Sequence, residues 1–367
     1  RQVLVTLQFA FSIFLIIGTI VIYQQIMHMK MRDIGYDKEN LMMIWTNGEL
    51  EKNFQTIRTE LENTGVVKSV CKSNSPITSI FSSNEVEWDG KATEDRVAFT
   101  TIATEYDYTK TMGIKMIEGR DFSREYNDSL SVVINQAAVK MMGMENPIGQ
   151  KIKYGSENLT IIGVMPDIIM DSPDRPVEPL TLIFEPDWTS TITLRLSKTD
   201  NMGQSIDAVE DVFNKLNPSY PFEFRFADTD YDAKFSNINL ISSLVSIFAT
   251  LAILISCLGL LGLAAFTAEQ RTKEVSIRKV LGATVSSLVI LISKDFSKLV
   301  IFGFIISAPL AWWALNNFLE RYPYRISVSW WMLPLAGLIA LCMALIIVSS
   351  QALRAATSNP VKALKSE

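Results

Sequence analysis

A single histidine, His28, and three cysteines, Cys71, Cys257 and Cys342, are all the imidazole and thiol groups in this chain of 367 residues. A structural zinc site draws on about four such ligands, so no metal centre is expected. The cysteines are divided between apolar runs and a polar middle region, with no pair placed to form a disulfide framework. A Ser-His-Asp hydrolase would have to rest on His28 alone, beside an apolar stretch, and His28 reads instead as a surface-helix residue. The chain contains no Gly-rich phosphate loop ending in Lys-Ser or Lys-Thr, which excludes ATP hydrolysis by this segment. Charge is scarce as well. With 20% charged and 48% hydrophobic residues and a mean hydropathy of +0.20, the composition fits a membrane protein better than a soluble enzyme.

Two patterns invite metal chemistry without the residues to support it. Met141, Met142 and Met144 form a soft-donor run with no Cys/His cluster beside it, which reads as packing near a turn. Asp121, Asp128, Asp167 and Asp171 match neither a calcium loop nor a paired-carboxylate site, and read as solvated acidic surface.

Long apolar runs are what the chain has in quantity. Four of them are each long enough to cross a hydrocarbon layer of about 30 Å. The expected map has transmembrane helices at 1–26, 239–266, 284–316 and 330–350, an outer loop at 317–329 and a cytoplasmic tail at 351–367. The first run holds Gln8 and continues into QQIMHMK without a small-residue cleavage site, unlike a signal peptide. Trp312, Trp313, Trp330 and Trp331 place aromatic pairs at one membrane interface. Pro309 marks a bend in the third helix, and Lys294, Asp295 and Lys298 lie near that helix's inner end.

Residues 27–238 carry 22 Lys plus Arg against 34 Asp plus Glu, a net charge of −12, and give no reason to expect nucleic acid. They read as a soluble α+β domain inserted between helices one and two. Its outer parts are two strand–helix–strand units. Leu41–Trp45, a helix carrying Phe54, Ile57 and Leu61, and a strand at 66–70 form one; Thr191–Leu196, a helix carrying Ile206, Val209 and Phe213, and the alternating Phe222, Phe224 and Phe226 form the other. A strand-rich middle lobe at about 75–190 is inserted between them.

Residues 266–282, FTAEQRTKEVSIRKVLG, form a short charged segment between two membrane-length runs. Thr267 and Gln270 have capping-box spacing and Gly282 suits a helix end, so a separate surface helix is expected over 267–282. Arg271, Glu274 and Arg278 share one face. The positive charges of Arg271, Lys273, Arg278 and Lys279, with Arg354, Lys362 and Lys365 in the tail, place this segment and both chain ends in the cytoplasm and the large domain outside.

RQVLVTLQFAFSIFLIIGTIVIYQQI at 1–26, SVVINQAAVKMMGMENPIGQKI at 131–152, LGLLGLAAFTAEQRTKEVSIRKVLGATVSSLVILISKDF at 258–296 and NPVKAL at 359–364 together resemble the FtsX-like or MacB-like permease family of ABC transport systems, in a form found in Bacteroidota. The resemblance implies a dimeric or pseudodimeric bacterial inner-membrane permease for efflux or envelope export. It works with a cytoplasmic ABC ATPase dimer that uses the ATP, with no cofactor bound directly to the permease. A periplasmic adaptor or envelope protein and a second permease half or subunit are further implied partners. The RQVLV start resembles the second half of an eight-helix permease, so the C-terminal half of a longer chain is expected. By the same resemblance, 269–281 is the coupling helix, with Glu269, Arg271, Lys273, Glu274, Arg278 and Lys279 as candidate ATPase contacts. Motion of the ATPase would pass through the membrane helices to the periplasmic domain, a mechanism termed mechanotransmission. The alternative implied by the family is a noncatalytic regulator of a cell-envelope or division enzyme.

Overall fold

Phe54, Ile57 and Leu61 lie on one stripe of a ten-residue helix, and the stripe is buried in full. A computed structural model describes residues 2–91, 96–270 and 284–357. The chain divides into two units, Arg32–Ser236 and a helical unit made from the segments on either side of it.

The Arg32–Ser236 unit is β-rich. Four of its strands, β1 (Leu41–Trp45), β2 (Val67–Ser73), β10 (Thr191–Leu196) and β11 (Phe224–Phe226), lie in the antiparallel order β11-β1-β10-β2. Between β1 and β2 the chain forms α2 (Glu49–Lys52) and α3 (Phe54–Asn63), and α6 (Met202–Leu216) joins β10 to β11. This is the split βαβ arrangement, in which each strand–helix–strand unit lends a strand to the space inside the other. Ile57, Leu61, Val209 and Phe213 from the helices pack on Met42, Ile44, Val70, Ile192 and Leu194 from the strands. Burying each of these large side chains stabilises the fold by about 1.5–3 kcal/mol.

Seven further strands lie between β2 and β10 in the chain, and six of them make up a second lobe: β3 (Ser83–Trp88), β4 (Ala98–Thr104), β6 (Ser131–Asn135), β7 (Lys151–Tyr154), β8 (Glu157–Met165) and β9 (Leu180–Phe184). They pair in the order β4-β3-β7-β8-β6-β9, and β9 returns to pair with β4, which closes a ring. The short β5 (Glu118–Gly119) is added to β8. Val86, Phe99, Val132, Ile134, Ile161 and Ile183 fill the core, joined by Ala138 and Met142 of α5 (Gln136–Met142). Met144 packs against the same cluster while Met141 is exposed. Asn135 organises the start of α5: its Oδ1 accepts from the Ala138 and Leu180 amides, each at 2.9 Å, and its Nδ2 donates to the Glu178 carbonyl. The remaining helices of this unit are α4 (Tyr108–Met112) and α7 (Ala227–Ala233).

Asp128, just before β6, is a buried charge. Its carboxylate accepts from both Arg120 Nη atoms at 2.9 and 2.7 Å, from the Ser123 amide at 2.9 Å and from the Ser131 hydroxyl at 3.1 Å. Burial disfavours its charge, yet these donors outweigh that cost and hold the carboxyl below its usual range. A depressed folded pKa contributes stability above the unfolded value, and that contribution is lost as pH falls through the folded value. Acidification below the ordinary carboxylate range is therefore expected to lower the denaturation midpoint of the purified protein. Asp128→Asn is expected to lose about 2–4 kcal/mol at neutral pH and to flatten this acid limb. An unchanged acid limb in the variant would rule out the assignment.

The helical unit contains α1 (Gln2–Lys30), α8 (Ser236–Gln270), α9 (Val285–Leu319) and α10 (Met332–Thr357). Val5, Phe9, Ile13, Ile17 and Val21 of α1 share one core with Val300, Ala311 and Leu315 of α9 and with Ala336, Ala340, Ala344, Val348 and Ala352 of α10. The α10 residues recur every four positions, a ridge of mostly small side chains that lets helix backbones approach closely. Gly303 serves the same purpose on α9, since a Cβ there would lie 3.1 Å from the Ala10 amide nitrogen.

Three helices among the described residues are long and apolar enough to cross a membrane: Val3–Lys30, Ser236–Thr267 and Met332–Leu353. This corrects the expectation of four. The helix expected at 284–316 is part of α9, whose first half carries Lys294, Asp295 and Lys298, so its 35 residues are not one uninterrupted apolar run. Three crossings leave the two ends of the chain on opposite membrane faces, which also corrects the expectation that both lie in the cytoplasm. The large β-rich domain lies between the first and second crossings. Within its most apolar stretch α8 is 22% buried against 56% for α1, so α1 is packed well inside this unit and α8 lies at its periphery.

Candidate functional site

The charged segment singled out from the sequence falls mostly outside the described residues: Arg271, Lys273, Glu274, Arg278, Lys279 and Gly282 all do. Glu269 and Gln270 belong to the last turn of α8. Thr267 lies inside α8, where its hydroxyl donates to the Leu263 carbonyl at 2.8 Å, so the helix boundary read there is not seen. Pro309 lies within the continuous α9.

What the structure does bring together is the two stretches of chain that connect the Arg32–Ser236 unit to its flanking helices. The stretch after α1 turns at Gly35, whose φ of 80° is a left-handed conformation suited to glycine. A side chain at Gly35 would overlap the carbonyl oxygen of Asp167. One residue earlier the Ile34 carbonyl accepts from the Ile169 amide at 3.0 Å. Arg195 of β10 then holds the next few residues, its guanidinium donating to the carbonyls of Asp37 at 2.8 Å, Glu39 at 2.5 Å and Thr111 at 2.9 Å.

The stretch leading into α8 ends on the same loop. Lys234, which follows α7, donates its ammonium to the carbonyls of Thr78, Met170 and Asp171, the last at 2.6 Å. Burial pulls its pKa down to about 8, against the opposing pull of Asp171 and Asp230. Phe235 beside it is fully buried, as are Met170, Thr78 and Tyr231 to within a few per cent. Lys38 from the first stretch joins Asp232 of α7 at 3.0 Å and lies over the Tyr231 ring. The Tyr36 hydroxyl is pushed well above its usual range by burial, with Tyr231 and Asp230 adding to the effect.

Residues 167–171, between β8 and β9, therefore touch both connections at once. Of the rest of the acidic set read as solvated surface, Asp171 is exposed as read, while Asp121 and Asp167 are tied into the fold. Asp167 accepts from the Ala137 amide at 2.8 Å at the start of α5, Asp171 pairs with Arg175 at 2.9 Å, and Asp121 accepts from Thr109 and the Phe122 amide. A second charged cluster centres on Asp107, which pairs with Arg58 of α3 at 2.5 Å and with Arg124 at 2.9 Å. His28 is more than a surface residue. Its ring stacks on Tyr324 at 4.2 Å, while the Gln25 side chain donates to the Tyr324 carbonyl and accepts from the Ile326 amide. The end of α1 thus clamps the segment joining α9 to α10.

The sequence signal for Lys234 was present. It is the last charge before the uncharged run of 235–268.

Residues 3–212 match the family described as MacB-like periplasmic core domain, and residues 246–360 match the one described as FtsX-like permease C-terminal. The macrolide export ATP-binding/permease protein MacB of Bdellovibrio bacteriovorus is 25% identical over 186 residues, covering 46% of this chain and 28% of that protein. Its namesake from Neisseria gonorrhoeae is 23% identical over 238 residues, covering 60% and 37%. The chain thus spans less than two fifths of the length of these curated relatives. Among solved structures, the periplasmic region of MacB from Actinobacillus actinomycetemcomitans aligns at 18% identity with a TM-score of 0.39, covering 56% of this chain and 97% of that one. With a periplasmic core domain matched over more than half its length and a permease region after it, the chain belongs to the MacB/FtsX-like permease family.

Proposed function

We propose that this chain is the permease subunit, or half-permease, of an ABC efflux or envelope-export system, and that it carries ATPase motion to its periplasmic domain by mechanotransmission. The observation that carries this reading is the shared loop at 167–171, on which both connections to the flanking helices converge. A displacement of either connection is felt by the same five residues and passed to β8 and β9. Two crossings separate the start of α1 from the end of α8, so in this reading the end of α8 lies on the face opposite the large domain. Arg271, Lys273, Arg278 and Lys279 after it suit the cytoplasmic side.

In this reading the partner is a cytoplasmic ABC ATPase dimer that binds and hydrolyses the nucleotide, and the permease itself holds no cofactor. Glu269, Arg271, Lys273, Glu274, Arg278 and Lys279 are its candidate contacts, and Pro309 a candidate bend. A second permease half is a further partner in this reading, on the resemblance of the sequence motifs alone. The names of the curated relatives, which describe macrolide export, favour an exported cargo, and a periplasmic adaptor is a further partner implied by the resemblance of the sequence motifs.

Charge reversal tests the coupling. Glu274→Lys and Arg278→Glu are each expected to lower transport per ATP hydrolysed at least about tenfold, equivalent to 1.4 kcal/mol of lost coupling, with membrane insertion retained. Reconstituted complexes in which both variants couple normally would remove these residues from the contact surface.

A further inference from the structure

An ammonium group has three N–H donors and no acceptor, and in a low-dielectric site each donor must find an oxygen. Lys234 finds three: the carbonyls of Thr78, Met170 and Asp171. All three acceptors are uncharged backbone groups, from two segments lying 156 and 63–64 residues away in sequence. The site therefore recognises the cationic head rather than forming an ion pair with a single carboxylate, and charge-assisted bonds of this kind are about twice as strong as neutral ones. Its place in the chain is equally specific. Ser236, the first residue of α8, is two positions on.

We propose that Lys234 is a positioning residue for the transmission described above, a cationic latch that fixes the chain leading into α8 to the 167–171 loop. Without it the loop is still held on one side, by the Ile169–Ile34 hydrogen bond of the first connection, but loses its tie to the second. The latch makes the two connections act on the loop together instead of separately. The proposal rests on the permease reading for its consequence, but the tie itself is measurable without any ATPase.

The experiment is hydrogen exchange of the Ile169 amide in the full chain embedded in lipid nanodiscs. Lys234→Ala is expected to speed this exchange about tenfold, and ethylammonium, which refills the carbonyl cage with the missing cation, to slow it again. Lys234→Met fills the same space without charge and is expected to behave like the alanine variant, with no response to ethylammonium. Protection retained in Lys234→Met, or an alanine variant unaffected by ethylammonium, shows the side chain to be packing only and overturns the latch. A second arm adds the copurified ATPase with a non-hydrolysable ATP analogue. Wild type is expected to change its Ile169 exchange on nucleotide binding, and Lys234→Ala to lose that response while hydrolysing ATP within about twofold of wild type. Absence of a nucleotide response in wild type counts against the permease mechanism, whereas the first arm still decides the latch.

Discussion

Gly35→Ala is expected to destabilise the periplasmic domain by about 3 kcal/mol or more, because two separate costs act at one atom. The first is conformational: the φ of 80° disfavours any L side chain. The second is steric, and the obstacle is the backbone carbonyl of Asp167, which has no alternative rotamer and cannot swing aside. Relief requires the loop itself to move, breaking the Ile169–Ile34 hydrogen bond and disturbing the Asp167 side chain that accepts from Ala137. Chemical denaturation of the full chain would read the loss, and a midpoint within experimental error of wild type would show that the close approach of Gly35 to Asp167 is wrong.

Arg195→Met follows closely in size, with an expected loss of about 2–4 kcal/mol. The guanidinium fork is 12% exposed and serves three carbonyls from two segments, with Asp37 Oδ2 as an ion partner at 3.2 Å. Methionine keeps the length and the apolar stem but leaves Thr111, Asp37 and Glu39 without their shared donor. Arg195→Lys is expected to recover less than half of the loss, because a single ammonium cannot reproduce the planar geometry of the fork. Full recovery by lysine would indicate that charge alone matters at this position.

These two positions show why the fold was more legible than the site. Leu41–Trp45 and Thr191–Leu196 are strands at the bounds their composition suggests, and the Phe54, Ile57, Leu61 stripe is buried as its spacing requires. In each case the information sits in side chains with a periodic demand for burial. β3 escaped because SNEVEW has one fully buried position, Val86, among polar neighbours. β9 escaped for the opposite reason: Leu180 to Ile183 are buried on both faces, so no alternation marks them, and a proline-rich loop precedes them. At Thr267 the hydroxyl is satisfied on the preceding turn of α8, and most of the segment the capping pattern introduces lies outside the described residues. Lys234 and Arg195 share a deeper difficulty. Their partners are main-chain carbonyls, which every residue possesses, so no residue type in the sequence marks the acceptors.

The closed ring β4-β3-β7-β8-β6-β9 has a consequence for recognition. Each of its strands pairs with at least two others, so among the described residues only short stretches of strand edge, such as those of β3, are left for an extended peptide to join by main-chain pairing. A protein that docks on this lobe is expected to read it mainly through surface side chains, and peptides mimicking a long β-strand are expected to make poor inhibitors of that contact.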